Sequence, residues 1–202
     1  MSDPSPKVRY MSAPISSQRF AVVDVETSGL SVRRDNVLQV GVVIVDGSGT
    51  VLDRWSSLLA PRSRWWFRVG PTSLHGIRRR DVRCAPSAAT VLNELASKLD
   101  GARFVAHNAE FDLAFLRKAA RRVGIRLQFT DPVCTLLLSR QLDPDRTMSH
   151  RLGDLCERCG IHLARPHDAL ADADATAAVL PFLLQAHSIA TVDQLPAWVP
   201  AS

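Results

Sequence analysis

Two carboxylates stand two residues apart, at Asp24 and Glu26, inside an otherwise apolar run, FAVVDVETSGL (Phe20 to Leu30). Side chains alternate along a strand, so both acids leave on one face while Val23 and Val25 leave on the other. Buried carboxylates are costly unless they are paired or hold a cation. Two close together repel, and each raises the other's pKa. A hard divalent cation such as Mg²⁺ or Mn²⁺ relieves that repulsion, because it takes oxygen ligands and is content with one or two carboxylates. A solvated acidic face on an edge strand has the same pattern, and the pair alone leaves both readings open.

Two more acidic places follow. Asp112 stands in FVAHNAEFDLAFL, just after an apolar strand and in the first turn of a helix. An acid there also complements the helix dipole by some tenths of a kcal/mol. The segment RPHDALADADATAAVL places Asp168 as an N-cap, with Asp172 one turn further along the same face. His167 precedes the cap and can fold back over that face. Asp174 lies about 200° around the helix from Asp172 and faces elsewhere.

The elements that must position these residues can be read from periodicity. Strand-like stretches cover 20–26, 37–45 and 51–59, and VDGSGT (Val45 to Thr50) turns the last two into an antiparallel hairpin. Residues 60–86 form a long connection that carries Trp65, Trp66, Phe67 and the run Arg78, Arg79, Arg80. Helix then alternates with strand: a helix over 87–99, a short strand over 103–108, and a helix over 109–124. That helix has Phe111, Phe115 and Ala119 on its apolar side, Asn108 as N-cap and Gly124 as stop. Further helices are predicted over 134–142, 150–160 and 168–187, the last with Pro181 as a kink. The order predicts a mixed sheet with helices on its faces, one α/β domain over 19–188. Residues 1–18, rich in Ser and Pro, read as a flexible arm, and 189–202 as an irregular tail.

Composition narrows the function classes. The 202 residues are 46% hydrophobic, enough for one core. Formal net charge is +5, and all 25 basic residues but Lys7, Lys98 and Lys118 are arginine, which suits a polyanionic partner. The longest strongly apolar run, VLQVGVVIV, is strand-sized. The N-terminus lacks the apolar core of a secretory signal, so a cytoplasmic protein without a membrane partner is expected. Cys156 and Cys159 form a C-x-x-C inside a helix-like segment, and Cys84 and Cys134 stand alone. Zinc would need two more ligands, so all four are read as reduced packing residues.

Taken together, three segments resemble the DEDDh branch of the DnaQ-like 3′–5′ exonucleases, the family of polymerase proofreading subunits. They are DVETSGL, VAHNAEFDLAFL and HDALADADAT, in the family's order, between about Phe20 and Leu184. GPTSLHGI, DPVCTLLLSRQL and HRLGDLCERCGI support the register. Where the family commonly has threonine after HGI, this chain has Arg78. The resemblance implies a ribonuclease H-like fold, with three antiparallel strands continued by parallel ones and flanked by helices. It implies two divalent cations, Mg²⁺ or Mn²⁺, held by Asp24, Glu26, Asp112 and Asp172, with His167 as general base toward the attacking water. It also puts the Thr27–Gly29 turn and Leu30 against the terminal nucleotide, with His107, Asn108 and Phe111 at the edge of the substrate site.

The activity this implies is 3′–5′ exonuclease action, with DNA the favoured single-stranded substrate, in proofreading or repair. RNA trimming uses the same motifs. A non-catalytic nucleic-acid or polymerase-binding module would explain the charge and RWWF, since aromatics stack on bases, but not the intact acids. QAHSIA (Gln185 to Ala190) faintly resembles the peptide by which proofreading subunits hold a sliding clamp, which adds the clamp and a DNA polymerase as expected partners.

Overall fold

The computed structural model describes residues 13–61, 63, 67–163 and 165–195. A five-stranded sheet is built from β1 (Arg19–Thr27), β2 (Val37–Asp46), β3 (Val51–Leu58), β4 (Arg103–Ala106) and β5 (Val133–Cys134). The strand order is β3-β2-β1-β4-β5. β1 and β3 each pair antiparallel with β2, while β4 runs parallel to β1 and to β5. The helices are α1 (Thr72–His75), α2 (Arg79–Arg83), α3 (Ala88–Leu99), α4 (Ala109–Val123), α5 (Thr135–Gln141), α6 (Leu152–Arg158) and α7 (Ala169–Ala186). This is the mixed, helix-flanked, ribonuclease H-like sheet expected from the sequence.

The alternation in β1 sorts the core into two layers. Ala21, Val23 and Val25 join Val40, Val42 and Ile44 of β2 against α3 and α4. Phe20 and Val22 join Val43 and Val45 against α5, α6 and α7. Asp24 and Glu26 continue the second series, so they leave the sheet on the side that α7 covers.

The connection over 60–86 is more ordered than periodicity suggests. It holds α1 and α2, too short to show a helical repeat, and a small core of its own formed by Leu38, Val69, Ile77 and Val82. The arginine run is not a loop: Arg78 sits before α2, its N–H donating to Asp81 at 2.7 Å, and Arg79 lies over the Phe67 ring at 4.7 Å. Trp65 and Trp66 lie outside the described residues. β5, at two residues, also escaped the sequence reading.

Both ends of the described chain differ from the expected arm and tail. Residues Ile15–Ser17 form a 3₁₀ turn, Ile15 N–H donates to the Ala190 carbonyl at 2.8 Å, and Pro14 bridges to Thr191. Ile189 and Leu195 are buried in the α7 layer, and Val192–Gln194 form a second 3₁₀ turn. Within QAHSIA, Ile189 is buried and His187 donates to the Leu138 carbonyl at 2.9 Å, while Gln185, Ala186, Ser188 and Ala190 are exposed. Pro181 does not end α7, and its ring packs on the Gly49 turn.

α7 has the length and apolar composition of a membrane span, with 18 residues and a mean hydropathy of 1.2. Its apolar residues are a core helix's, packed on β1 and β2.

Candidate active site

The site forms where β1 outruns its parallel neighbour. β4 pairs with β1 from Phe20 to Val22 only. Beyond that point Asp112, in the first turn of α4, takes the place of the missing strand: its Oδ1 accepts from the Val25 N–H at 3.2 Å. Asp112 is 2% exposed. It thus reaches the backbone between Asp24 and Glu26 from the opposite layer.

α7 brings a second pair of acids, Asp168 and Asp172. Gly41 of β2 lies opposite Asp24, and a Cβ there would fall 2.2 Å from the Ala169 carbonyl oxygen. Its bare backbone lets the start of α7 sit directly on the sheet. Gln39, opposite Glu26, accepts from the Ala169 N–H at 3.4 Å. Asp168 caps the helix by accepting from the Ala171 N–H at 3.1 Å. Asp172 then faces Glu26. Asp174 turns away, to Arg54 of β3 at 2.7 Å.

Glu26, His167 and Asp172 offer ligand atoms that all lie within 4.8 Å of one another. His167 is exposed, with φ 66°, and its N–H donates to Asp172 Oδ2 at 3.0 Å. The other oxygen, Oδ1, is buried with no hydrogen-bond partner. All four acids are pushed above their ordinary pKa. For Asp24 the causes are burial first, then the charges of Asp112, Asp172, Glu26 and Asp168. Burial, followed by Asp172 and Asp168, pushes Glu26 up to about 7. Burial also raises Asp112 and Asp172, opposed by the N–H groups that each accepts from. A cluster of oxygens that cannot all ionise together, one of them orphaned, suits one or two hard divalent cations.

The substrate-side residues divide. The Thr27–Leu30 turn is built on Asp35, which accepts from the Ser31 N–H at 2.9 Å; a Cβ at Gly29 would meet the Asp35 carboxylate. Lys118 and Arg122 of α4 hold the turn's far side through the Asp35 carbonyl and Asn36. Leu30 is left 85% exposed at its tip. Thr27 is buried and its hydroxyl donates to the Gly29 carbonyl at 2.7 Å. Phe111 is half-buried against Phe115. Asn108 occupies the N-cap position with φ 73° but makes no side-chain cap, contrary to the expectation; its main-chain carbonyl accepts from Phe111 N–H instead. His107 has both ring nitrogens engaged, with the Thr135 hydroxyl and the His150 carbonyl, each at 3.0 Å. Burial, aided by Arg140 and His150, lowers its pKa to about 4 and keeps it neutral.

Two contributors went unrecognised in the sequence. Asp168 was read only as a cap, yet its charge acts on Asp24, Glu26 and Asp172. Gly41 was signalled by a lone glycine within VLQVGVVIV, a mark of close backbone approach. The cysteines take no part: all four are free, and burial raises the Cys156 thiol to about 11.

Comparison with known proteins gives the family and the fold. The RNase_T exonuclease model matches residues 21–180. A PolC-type DNA polymerase III from Oceanobacillus iheyensis is 36% identical over 166 residues, which is 82% of this chain and 11% of that protein. The 3′-5′ exonuclease DinG of Bacillus subtilis is 31% identical over 172 residues, 85% of this chain and 18% of that protein. The chain therefore spans less than a fifth of either relative's length. Among solved structures, E. coli Exonuclease I in complex with a dT13 oligonucleotide has a TM-score of 0.72 at 19% identity, covering 85% of this chain and 42% of that one. Exonuclease X in complex with 5′ overhanging duplex DNA has a TM-score of 0.67 at 23% identity, covering 88% and 96%. These two likenesses show a shared fold. With the family model covering residues 21–180 and two relatives above 30% identity across more than four-fifths of its length, the chain belongs to the RNase_T exonuclease family.

Proposed function

We propose that the protein is a metal-dependent 3′–5′ exonuclease acting on single-stranded DNA ends. The observation that carries this is the convergence of Asp24, Glu26, Asp112 and Asp172 from β1, α4 and α7, with His167 beside Glu26 and Asp172. Asp24, Glu26 and Asp172 would hold one cation, and Asp24 with Asp112 the other. Bound Mg²⁺ or Mn²⁺ would offset the acids' repulsion, make water a better nucleophile and stabilise the leaving 3′ oxygen.

The chain's own residues do the rest. His167, exposed at the mouth, takes the proton from the attacking water, its position fixed through its backbone bond to Asp172. Leu30 and Phe111 offer apolar surface to the terminal base. Thr27, held toward Gly29, keeps oxygen lone pairs to accept from the terminal 3′ hydroxyl. His107 and Asn108 edge the strand's path. DNA is favoured over RNA because the Oceanobacillus relative is a DNA polymerase and the Exonuclease I neighbour holds a DNA oligonucleotide. By the PolC-type relative, a polymerase is a partner class; a cytoplasmic location is part of the same proposal.

The test is release of nucleotides from the 3′ end of labelled single-stranded DNA and RNA with Mg²⁺ or Mn²⁺. Asp24→Ala is the control. Full activity in excess chelator would sink the reading, and faster loss from RNA would move the substrate to RNA.

A further inference from the structure

Beside the carboxylates lies a second cleft, of about 480 Å³, lined by His107, Leu136, Arg140, Arg146, Arg151 and their neighbours. We infer that it is an anion cleft that grips an internal phosphodiester of the nucleic-acid strand, on the 5′ side of the bond being cut. This rests on the exonuclease reading for the identity of the strand.

Position comes from the sheet. Val22 of β1 is level with Val105 of β4, and β4 ends one residue later at Ala106, so His107 follows the end of β4 while β1 runs on through Asp24. The cleft, lined by His107, therefore opens at the end of β4, which lies on the opposite side of β1 from β2 and the β1–β2 turn that bears Leu30. A strand whose last nucleotide meets that turn continues over β4 toward the cleft.

The chemistry is that of a phosphate site. Arg140 lies one turn beyond Leu136 on α5, so both face the cleft. The Nε of Arg140 is buried without a hydrogen-bond partner. Among the described residues, none of Arg140, Arg146 and Arg151 pairs with a carboxylate. Three unneutralised guanidinium groups on one cleft match phosphate oxygens, which they bind in a fork.

The nearby acids are committed elsewhere. Asp143 accepts from Thr147 N–H at 3.1 Å, Thr147 hydroxyl at 2.9 Å and Met148 N–H at 2.9 Å, and faces His150 Nε2 at 3.2 Å. Asp154 accepts from the Ser149 hydroxyl. No acid lines the cleft. The rim is also firmly built: His150 bonds to Ser139 at 2.8 Å, and its carbonyl holds His107. The arginines are therefore presented by a fixed frame.

The experiment measures binding of a labelled oligothymidylate by fluorescence anisotropy in chelator, across a salt series. The full chain is used, with Arg146→Gln, Arg151→Gln and the double variant. Arg126→Gln is the charge-matched control, because it follows the far end of α4, about 22 Å along the helix from Asp112's end. Each cleft variant is expected to weaken binding roughly tenfold and to lower the log–log salt slope by about 0.7. Both should hydrolyse the nitrophenyl ester of thymidine 5′-phosphate, which has no upstream phosphodiester, at the wild-type rate. Unchanged affinity and slope in the double variant would overturn the inference, as would an equal loss in Arg126→Gln or an equal loss on the small ester. Loss of binding in the cleft variants of a wild type that degrades no nucleic acid would support the cleft and overturn the exonuclease reading alone.

Discussion

Asp24 is half-buried and takes the field of four other carboxylates, Asp112, Asp172, Glu26 and Asp168. Such a residue serves a cation and works against the cation-free fold. Asp24→Asn keeps the shape and removes the charge. It should abolish nuclease activity while raising the melting temperature of chelator-treated protein by a few degrees, since roughly 2–4 °C accompanies each kcal/mol at this size. Parallel melting and activity assays check this, and a destabilised variant would contradict it. His167 works differently. It is exposed and in a left-handed conformation, which asparagine tolerates. His167→Asn should therefore fold normally and lower kcat by about 10²–10⁴, the usual worth of a general base. Single-turnover rates with saturating Mg²⁺ would show the loss in kcat; a loss confined to KM would reassign the residue to binding.

At the scale of elements, α7 delivers Asp168 and Asp172 only because Gly41 leaves its N-terminus room on the sheet. Gly41→Ala puts a methyl group into the Ala169 carbonyl, an overpacking that costs about 1–3 kcal/mol. It should lower the melting temperature and depress activity beyond what the loss of folded protein explains. Gly153→Ala, in α6, meets nothing within 4 Å and should be neutral or stabilising. Melting and specific activity of the two variants separate a seating effect from a general intolerance of alanine. The contrast also shows what was legible in the sequence. Spacing put the motif acids on long, periodic elements and the family resemblance joined them into one site, and β1, α4 and α7 bring them together. Gly41's role depends on a contact between residues far apart in the chain, and α1, α2 and β5 are too short to carry a period. Asn108 shows the opposite failure: the local cap signal was clear, but the backbone there is left-handed and the side chain makes no cap.

For the whole molecule, cation and protons compete for the same oxygens, and the sign of the effect follows from the shifts. Glu26 is raised to about 7 from an ordinary 4.5, and Asp24, Asp112 and Asp172 are raised as well. The folded state thus holds these protons more tightly than the unfolded chain does. The contribution of Glu26 to stability is complete below about 4.5 and is lost as pH rises through about 7, and the three aspartates act in the same direction. His107 acts in the other direction: lowered to about 4, it favours the fold above about 6.5, and that contribution is lost as pH falls toward 4. Between about pH 6.5 and 8 the carboxylates are therefore the source of slope. Chelator-treated protein should melt at steadily lower temperature across that window. Mg²⁺ at a hundred times its dissociation constant adds about 2.7 kcal/mol, and adds it mainly where the acids are ionised. The melting temperature with Mg²⁺ should therefore stay level, and the gap between the two curves should widen from pH 6.5 to 8. A constant gap would mean that the cation binds away from these acids, and the four-carboxylate centre would then lose its claim to hold the metal.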